Sequence, residues 1–167
     1  MTTEPAKAEL PKSSNSLRLT LWVLLIVYIF NFLDRQIVNI LAEPISRDLG
    51  LSDTQIGLMT GIAFAAFYTF LGIPIARYAD RPKTNRVGLI SVSLIIWSGM
   101  TALCGVAQNF VQLLLARIGV GVGEAGCTPA AHSLIADLAP PEKRASAISF
   151  YSLGIPIGAL LGMVIGG

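Results

Sequence analysis

The chain has 167 residues, 53% hydrophobic and only 13% charged, with a formal net charge of +2 and a mean hydropathy of +0.67. An ordinary soluble domain, in which about a quarter of residues are charged, is excluded. The weak net charge and the lack of an aromatic-interleaved basic patch argue against nucleic acid as a partner, and Cys104 and Cys127 lack the spacing of a metal or redox pair.

A spanning helix needs ~20 mostly apolar residues to cross ~30 Å of hydrocarbon. Five stretches qualify, at residues 19–42, 55–76, 87–107, 110–135 and 145–167. The expected fold class is therefore all-α, a polytopic membrane helix bundle whose first partner is the lipid bilayer. Residues 1–18 form a polar leader, and residues 19–167 the bundle. The leader is too long, and the first apolar stretch too extended, for a cleaved signal peptide. Lys7, Lys12 and Arg18 precede span one, Arg77, Arg81, Lys83 and Arg86 flank the connection after span two, and Lys143 and Arg144 precede span five. The intervening connections contribute only Arg47, so the positive-inside tendency places the N-terminus in the cytoplasm and the C-terminus outside.

Span one carries Asp34 and Arg35 inside apolar sequence. Ser52-Asp53-Thr54-Gln55 is a capping box that starts span two, where Gly57 and Gly61 stand four apart. Asn109 caps span four, and Ala139-Pro140-Pro141 ends it.

Within span four, GVGVGEAG contains a formal G-x-G-x-x-G at Gly121, Gly123 and Gly126. A dinucleotide fingerprint needs a preceding strand and a tight turn. Here the preceding residues continue a helix, so Gly119, Gly121 and Gly123 read as helix-packing positions and no cofactor is expected. Gly154, Gly158, Gly162 and Gly166 repeat every fourth residue in span five and suit a neighbour crossing at an angle. Static packing and sliding between helices use the same feature.

Span four also carries Arg117 and Glu124. Each charge near the centre of a spanning helix costs ~2.5–3.5 kcal/mol on insertion scales, so the four intramembrane charges must be partnered or wetted. Counted from the outer ends of their spans, Asp34 and Arg117 lie at similar depth, about 10–12 Å, and pair if the helices touch. Glu124 follows Arg117 by seven residues, on the same face and about 10 Å deeper. Two readings stand: a static ion network, or a polar column in which changing partners loads and releases a proton. Arg35 either joins the column or snorkels. The rival class is an enzyme, because His132-Ser-Leu-Ile-Ala-Asp137 matches the H-x-x-x-x-D pattern of glycerolipid acyltransferases. On a continuous helix those two side chains point about 140° apart, which opposes that chemistry.

The segment from Arg77 to Arg86 (RYADRPKTNR) resembles the cytoplasmic loop signature of the major facilitator superfamily, and Arg117 with Gly121, Gly123 and Ala125 its fourth-helix signature. Leu33-Asp34-Arg35-Gln36, Gly123-Glu124-Ala125-Gly126 and Pro140-Pro141-Glu142-Lys143-Arg144 further resemble the bacterial spinster-like branch, the likeness running from Asn31 onward. Ala76, Lys83 and Asn85 depart from the loop signature.

The resemblance implies a proton-linked secondary transporter of a bacterial inner membrane, working by alternating access. Asp34 with an Arg117 and Glu124 pair would line a central cavity, and Asp80, Arg81 and Arg86 would form a cytoplasmic gate. Relatives in this branch move sphingosine phosphate or lysophospholipids, so protons and a small organic or lipid-like substrate are the implied partners. Phe64, Phe67, Tyr68 and Tyr151 either contact that substrate or pack. The superfamily's fold has about twelve spans in two halves, so five spans make an incomplete N-terminal half whose remaining helices lie elsewhere. A membrane adaptor is the reading if the chain ends naturally at Gly167.

Overall fold

The computed structural model describes residues 14–166; Lys7, Lys12 and most of the expected leader lie outside them. Seven α-helices follow one another: α1 (Ser14–Leu49), α2 (Asp53–Gly57), α3 (Ala63–Ala79), α4 (Arg86–Gly105), α5 (Phe110–Leu138), α6 (Pro141–Ser152) and α7 (Gly154–Gly166). They make five helices long and apolar enough to cross a membrane: Asn15–Leu49, Asp53–Ala79, Arg86–Gly105, Phe110–Leu138 and Pro141–Gly166. No strand occurs among the described residues.

The helix ends follow local chemistry. α1 runs seven residues beyond the expected Ala42, through Pro44, and stops at a Schellman turn. Gly50 adopts φ +63°, a left-handed conformation that strains any residue with a Cβ. The Leu51 N–H then reaches back to the Ser46 carbonyl at 2.9 Å. The Ser52 capping box forms as expected, with the Gln55 N–H donating to Ser52 Oγ at 3.3 Å and the Ser52 N–H to Gln55 Oε1 at 2.9 Å. Asn109 accepts from the Gln112 N–H at 3.0 Å and starts α5. Ala139 is extended, the Arg144 Nε–H donates to its carbonyl at 3.2 Å, and Pro141 opens α6, four residues before the expected start of span five. Span five then breaks at Leu153. Pro156 has no N–H for the Ser152 carbonyl, and the chain restarts as α7.

Between α2 and α3, Leu58–Ile62 is a π-helical turn, closed by the Ala63 N–H on the Leu58 carbonyl. One residue is inserted into the turn, rotating every later side chain of span two about the helix axis.

α5 is the central helix, with the most extensively buried apolar window of the five spans. It packs on α3 and α4, while α1 packs on α7. Small residues set both contacts. A Cβ at Gly119 would strike Met100, one at Gly121 the Phe64 ring, one at Gly123 the Trp97 backbone and one at Gly126 the Ser93 hydroxyl. Along α7, Gly154, Gly158, Gly162 and Gly166 seat in turn on Tyr28, Ile29, Gln36 and Ile40 of α1, with the Ile29 carbonyl pressed against Gly158. Close approach of backbones is what glycine permits within hydrocarbon. The expectation for Gly57 and Gly61 is corrected: both are exposed, with nothing within 4 Å of an added Cβ among the described residues. The buried side of span two is the one carrying Met59, Ala63 and Phe64.

Candidate functional site

α1 and α5 run antiparallel, which brings Asp34 and Arg35 against Arg117 and Glu124. Arg35 Nη2 and Nε donate to Glu124 Oε2 at 2.7 and 2.9 Å. Arg117 Nη1 donates to Asp34 Oδ2 at 3.4 Å. Glu124 has no exposure, and the Arg117 side chain is 4% exposed, the Asp34 side chain 13% and the Arg35 side chain 31%. Arg35 is thus the one member of the four with substantial access.

The pairing departs from the expected column. Arg117 holds Asp34, whereas Glu124 is held by Arg35, which does not snorkel. Helical side chains lean toward the N-terminus of their own helix. In the antiparallel arrangement, Arg35 leans along α5 toward its later residues and reaches Glu124, while the shorter Asp34 stays level with Arg117. Asp34 and Arg117 are level and paired, as their expected depths suggest, but the count from the outer helix ends that gave that depth does not hold. Asp34 lies fifteen residues from the end of α1 at Leu49, and Arg117 seven from Phe110, so α1 projects about two turns beyond α5 at that end.

Aromatic rings surround the guanidinium groups. Arg35 Cζ lies 5.0 Å from the Phe64 ring centroid, 5.2 Å from Tyr68 and 5.4 Å from Phe32. Arg117 Cζ lies 5.3 Å from that same Phe64 ring. Such cation–π contacts supplement the ion pairs. Glu124 Oε1 and Arg117 Nε make no hydrogen bond among the described residues, so the cluster retains hydrogen-bonding capacity. Of the four expected aromatic contacts, Phe64 and Tyr68 belong to the cluster. Tyr151 is buried, stacked on Tyr28 at 4.3 Å, and Phe67, 43% exposed, is not among the rings beside either arginine. Phe32 and buried Asn31, one turn before the charges on α1, were not singled out from the sequence. Their spacing of three and four residues from Arg35 is the signal that places them beside it.

At the end of the bundle where α1 begins, Arg86 Nη1 pairs with Asp137 Oδ2 at 2.6 Å and its Nε donates to Ser133 Oγ at 2.7 Å. Ser133 Oγ donates in turn to the Ala79 carbonyl at 3.3 Å. The start of α4 is thereby clamped to the last turns of α5 and the end of α3. Asp80 and Arg81, expected beside Arg86 in a gate, form no ion pair among the described residues; Arg81 lies over the Tyr78 ring at 5.7 Å. The His132 and Asp137 dyad is not assembled. α5 continues through Pro129 to Leu138, Asp137 is taken by Arg86, and His132 meets the Tyr151 ring edge-on at 5.4 Å.

Five apolar helices, packed through glycines around charges paired inside the span, define a polytopic membrane protein with a polar centre between its first and fourth spans. The chain belongs to the Major Facilitator Superfamily, whose pattern it matches over residues 24–167. It is similar to the crystal structure of a bacterial homolog of the human lysosomal transporter Spinster in an inward-facing, unoccupied conformation. The TM-score is 0.87 at 47% identity, covering 92% of this chain and 32% of that one. An MFS-type efflux pump of Mycolicibacterium smegmatis is 41% identical over 145 residues, which is 87% of this chain and 33% of the pump. A sphingosine-1-phosphate transporter of Danio rerio is 28% identical over 140 residues, 83% of this chain and 27% of that protein. The chain is spinster-like, and it spans between about a quarter and a third of the length of the curated relatives it matches.

Proposed function

We propose that this chain supplies the proton-coupling part of a secondary transporter that works by alternating access. The transporter sits in a bacterial inner membrane with its N-terminus in the cytoplasm, and its substrate is a single-chain amphipathic anion. The observation that carries this reading is the pair of ion pairs between α1 and α5, at 2.7 and 3.4 Å, inside apolar spans. Charges held at that depth by a partner on another helix tie protonation to helix position. A proton bound by Glu124 removes the charge that holds Arg35. Arg35, 31% exposed and bordered by three aromatic rings, is then free to take an anionic head group while the rings meet the adjoining apolar chain. Proton and substrate therefore favour one another's binding. The Danio rerio relative, a sphingosine-1-phosphate transporter, supports the same substrate class.

The test uses the full-length protein in liposomes with labelled sphingosine 1-phosphate, a lysophosphatidate and, as a polar anion control, glucuronate. The expected result is accumulation of a single-chain lipid that follows an imposed pH gradient. Accumulation of glucuronate alone, or lipid movement indifferent to the gradient, would count against the reading.

A further inference from the structure

One ring serves two cations. Phe64 lies 5.0 Å from Arg35 Cζ and 5.3 Å from Arg117 Cζ, yet each guanidinium holds a different acid. Asp34 adjoins Arg35 on α1, and Glu124 lies two turns from Arg117 on one face of α5. Two short hydrogen bonds, 2.7 and 2.9 Å, hold Arg35 on Glu124, whereas the Arg117 to Asp34 contact is long at 3.4 Å, and Arg117 Nε and Glu124 Oε1 make no hydrogen bond among the described residues.

The position of the ring is itself constructed. Phe64 is 8% exposed. It sits on Gly121, where an added Cβ would come within 3.2 Å of its Cδ2, and stacks on Tyr68 at 5.9 Å. It also follows the π-helical turn at Leu58–Ile62 by two residues. The extra residue of that turn rotates Phe64 by about 100° relative to an uninterrupted α-helix, so the turn aims the ring between the arginines.

We propose that Phe64 is a positioning residue that partitions the two ion pairs. Its ring holds both guanidinium groups, and its bulk keeps each acid from the other's arginine, so that Asp34 and Glu124 exchange protons as separate sites. This rests on the reading of those acids as proton sites. The other titratable groups facing the cluster are Tyr28 from α1, Tyr68 from α3, Cys104 from α4 and Cys127 from α5; α7 supplies none.

Infrared difference spectroscopy of the full-length protein in lipid, titrated from about pH 4 to about pH 10, reads carboxyl protonation without a substrate. Asp34→Asn and Glu124→Gln assign the two components. In the wild type and in Phe64→Tyr, the acids are expected to titrate separately. In Phe64→Leu and in the volume-keeping Phe64→Met, both midpoints are expected to move by about one pH unit or more and to behave as a coupled pair. Phe64→Met decides the matter if Phe64→Leu is not recovered folded. Unchanged midpoints in a folded variant, against a titrating wild type, overturn the partition alone. A wild type in which neither carboxyl titrates overturns the proton-site reading and the partition with it.

Discussion

Breaking the Arg35–Glu124 pair from either side should give unequal costs. Glu124 is wholly buried, so Arg35→Leu leaves an uncompensated carboxylate with no access to water. Loss of one partner of a buried pair costs about 3–5 kcal/mol. Glu124→Gln leaves instead a guanidinium that is 31% exposed and still beside three rings, with an amide oxygen in place of Oε2. Partial hydration and the remaining acceptor should reduce that cost to about 1–2 kcal/mol. Joint replacement, Arg35→Leu with Glu124→Gln, removes both charges and should cost less than Arg35→Leu alone. Reversible unfolding of the full-length protein in mixed micelles supplies the three differences and their coupling energy. Equal single costs that add to within about 0.5 kcal/mol would refute the reasoning, because they would mean that the two side chains do not share a desolvated contact.

Gly158→Leu should destabilise the bundle by about 1–3 kcal/mol, since the Ile29 carbonyl already occupies the space of a Cβ, whereas Gly57→Ala should change stability by no more than about 0.5 kcal/mol; the same unfolding assay compares them. Gly50→Ala, at φ +63°, should cost about 1–2 kcal/mol and fray the end of α1, read as faster hydrogen exchange before Leu51. Arg86→Gln should release the clamp on Ser133 and Asp137 and speed hydrogen exchange around residues 79–86 by about tenfold. Unchanged exchange would show that the clamp does not restrain that connection.

The five spans were legible because hydrocarbon thickness fixes helix length, and Ser52, Asn109 and the Pro140-Pro141 pair mark ends through hydrogen bonds or a missing donor. The glycine stripe of α7 was legible for a related reason, since fourfold spacing names a helix face before its neighbour is known. Partner choice was legible only in part: Asp34 was matched to Arg117, whereas Arg35 was not matched to Glu124. Helix depth was counted from Ala42, whereas the αL glycine at Gly50 carries α1 on to Leu49. Arg35 then lacked an evident acid, although its lean toward its own N-terminus brings it to Glu124. The π-helical turn has no residue signature, so the aim of Phe64 emerged only with the backbone. Asp137, read beside His132, belongs to Arg86 across the bundle, a contact that spacing along one helix does not reveal.

Buried charge exchanged between α1 and α5 is the heart of this account, and proton flux reads it most directly. A pH-sensitive dye trapped in proteoliposomes of the full-length protein would report proton movement as sphingosine 1-phosphate is added. The wild type should carry protons with the lipid, while Glu124→Gln, which removes the acid that holds Arg35, should exchange the lipid across the membrane with no accompanying pH change. Equal proton movement by the two proteins would contradict the account.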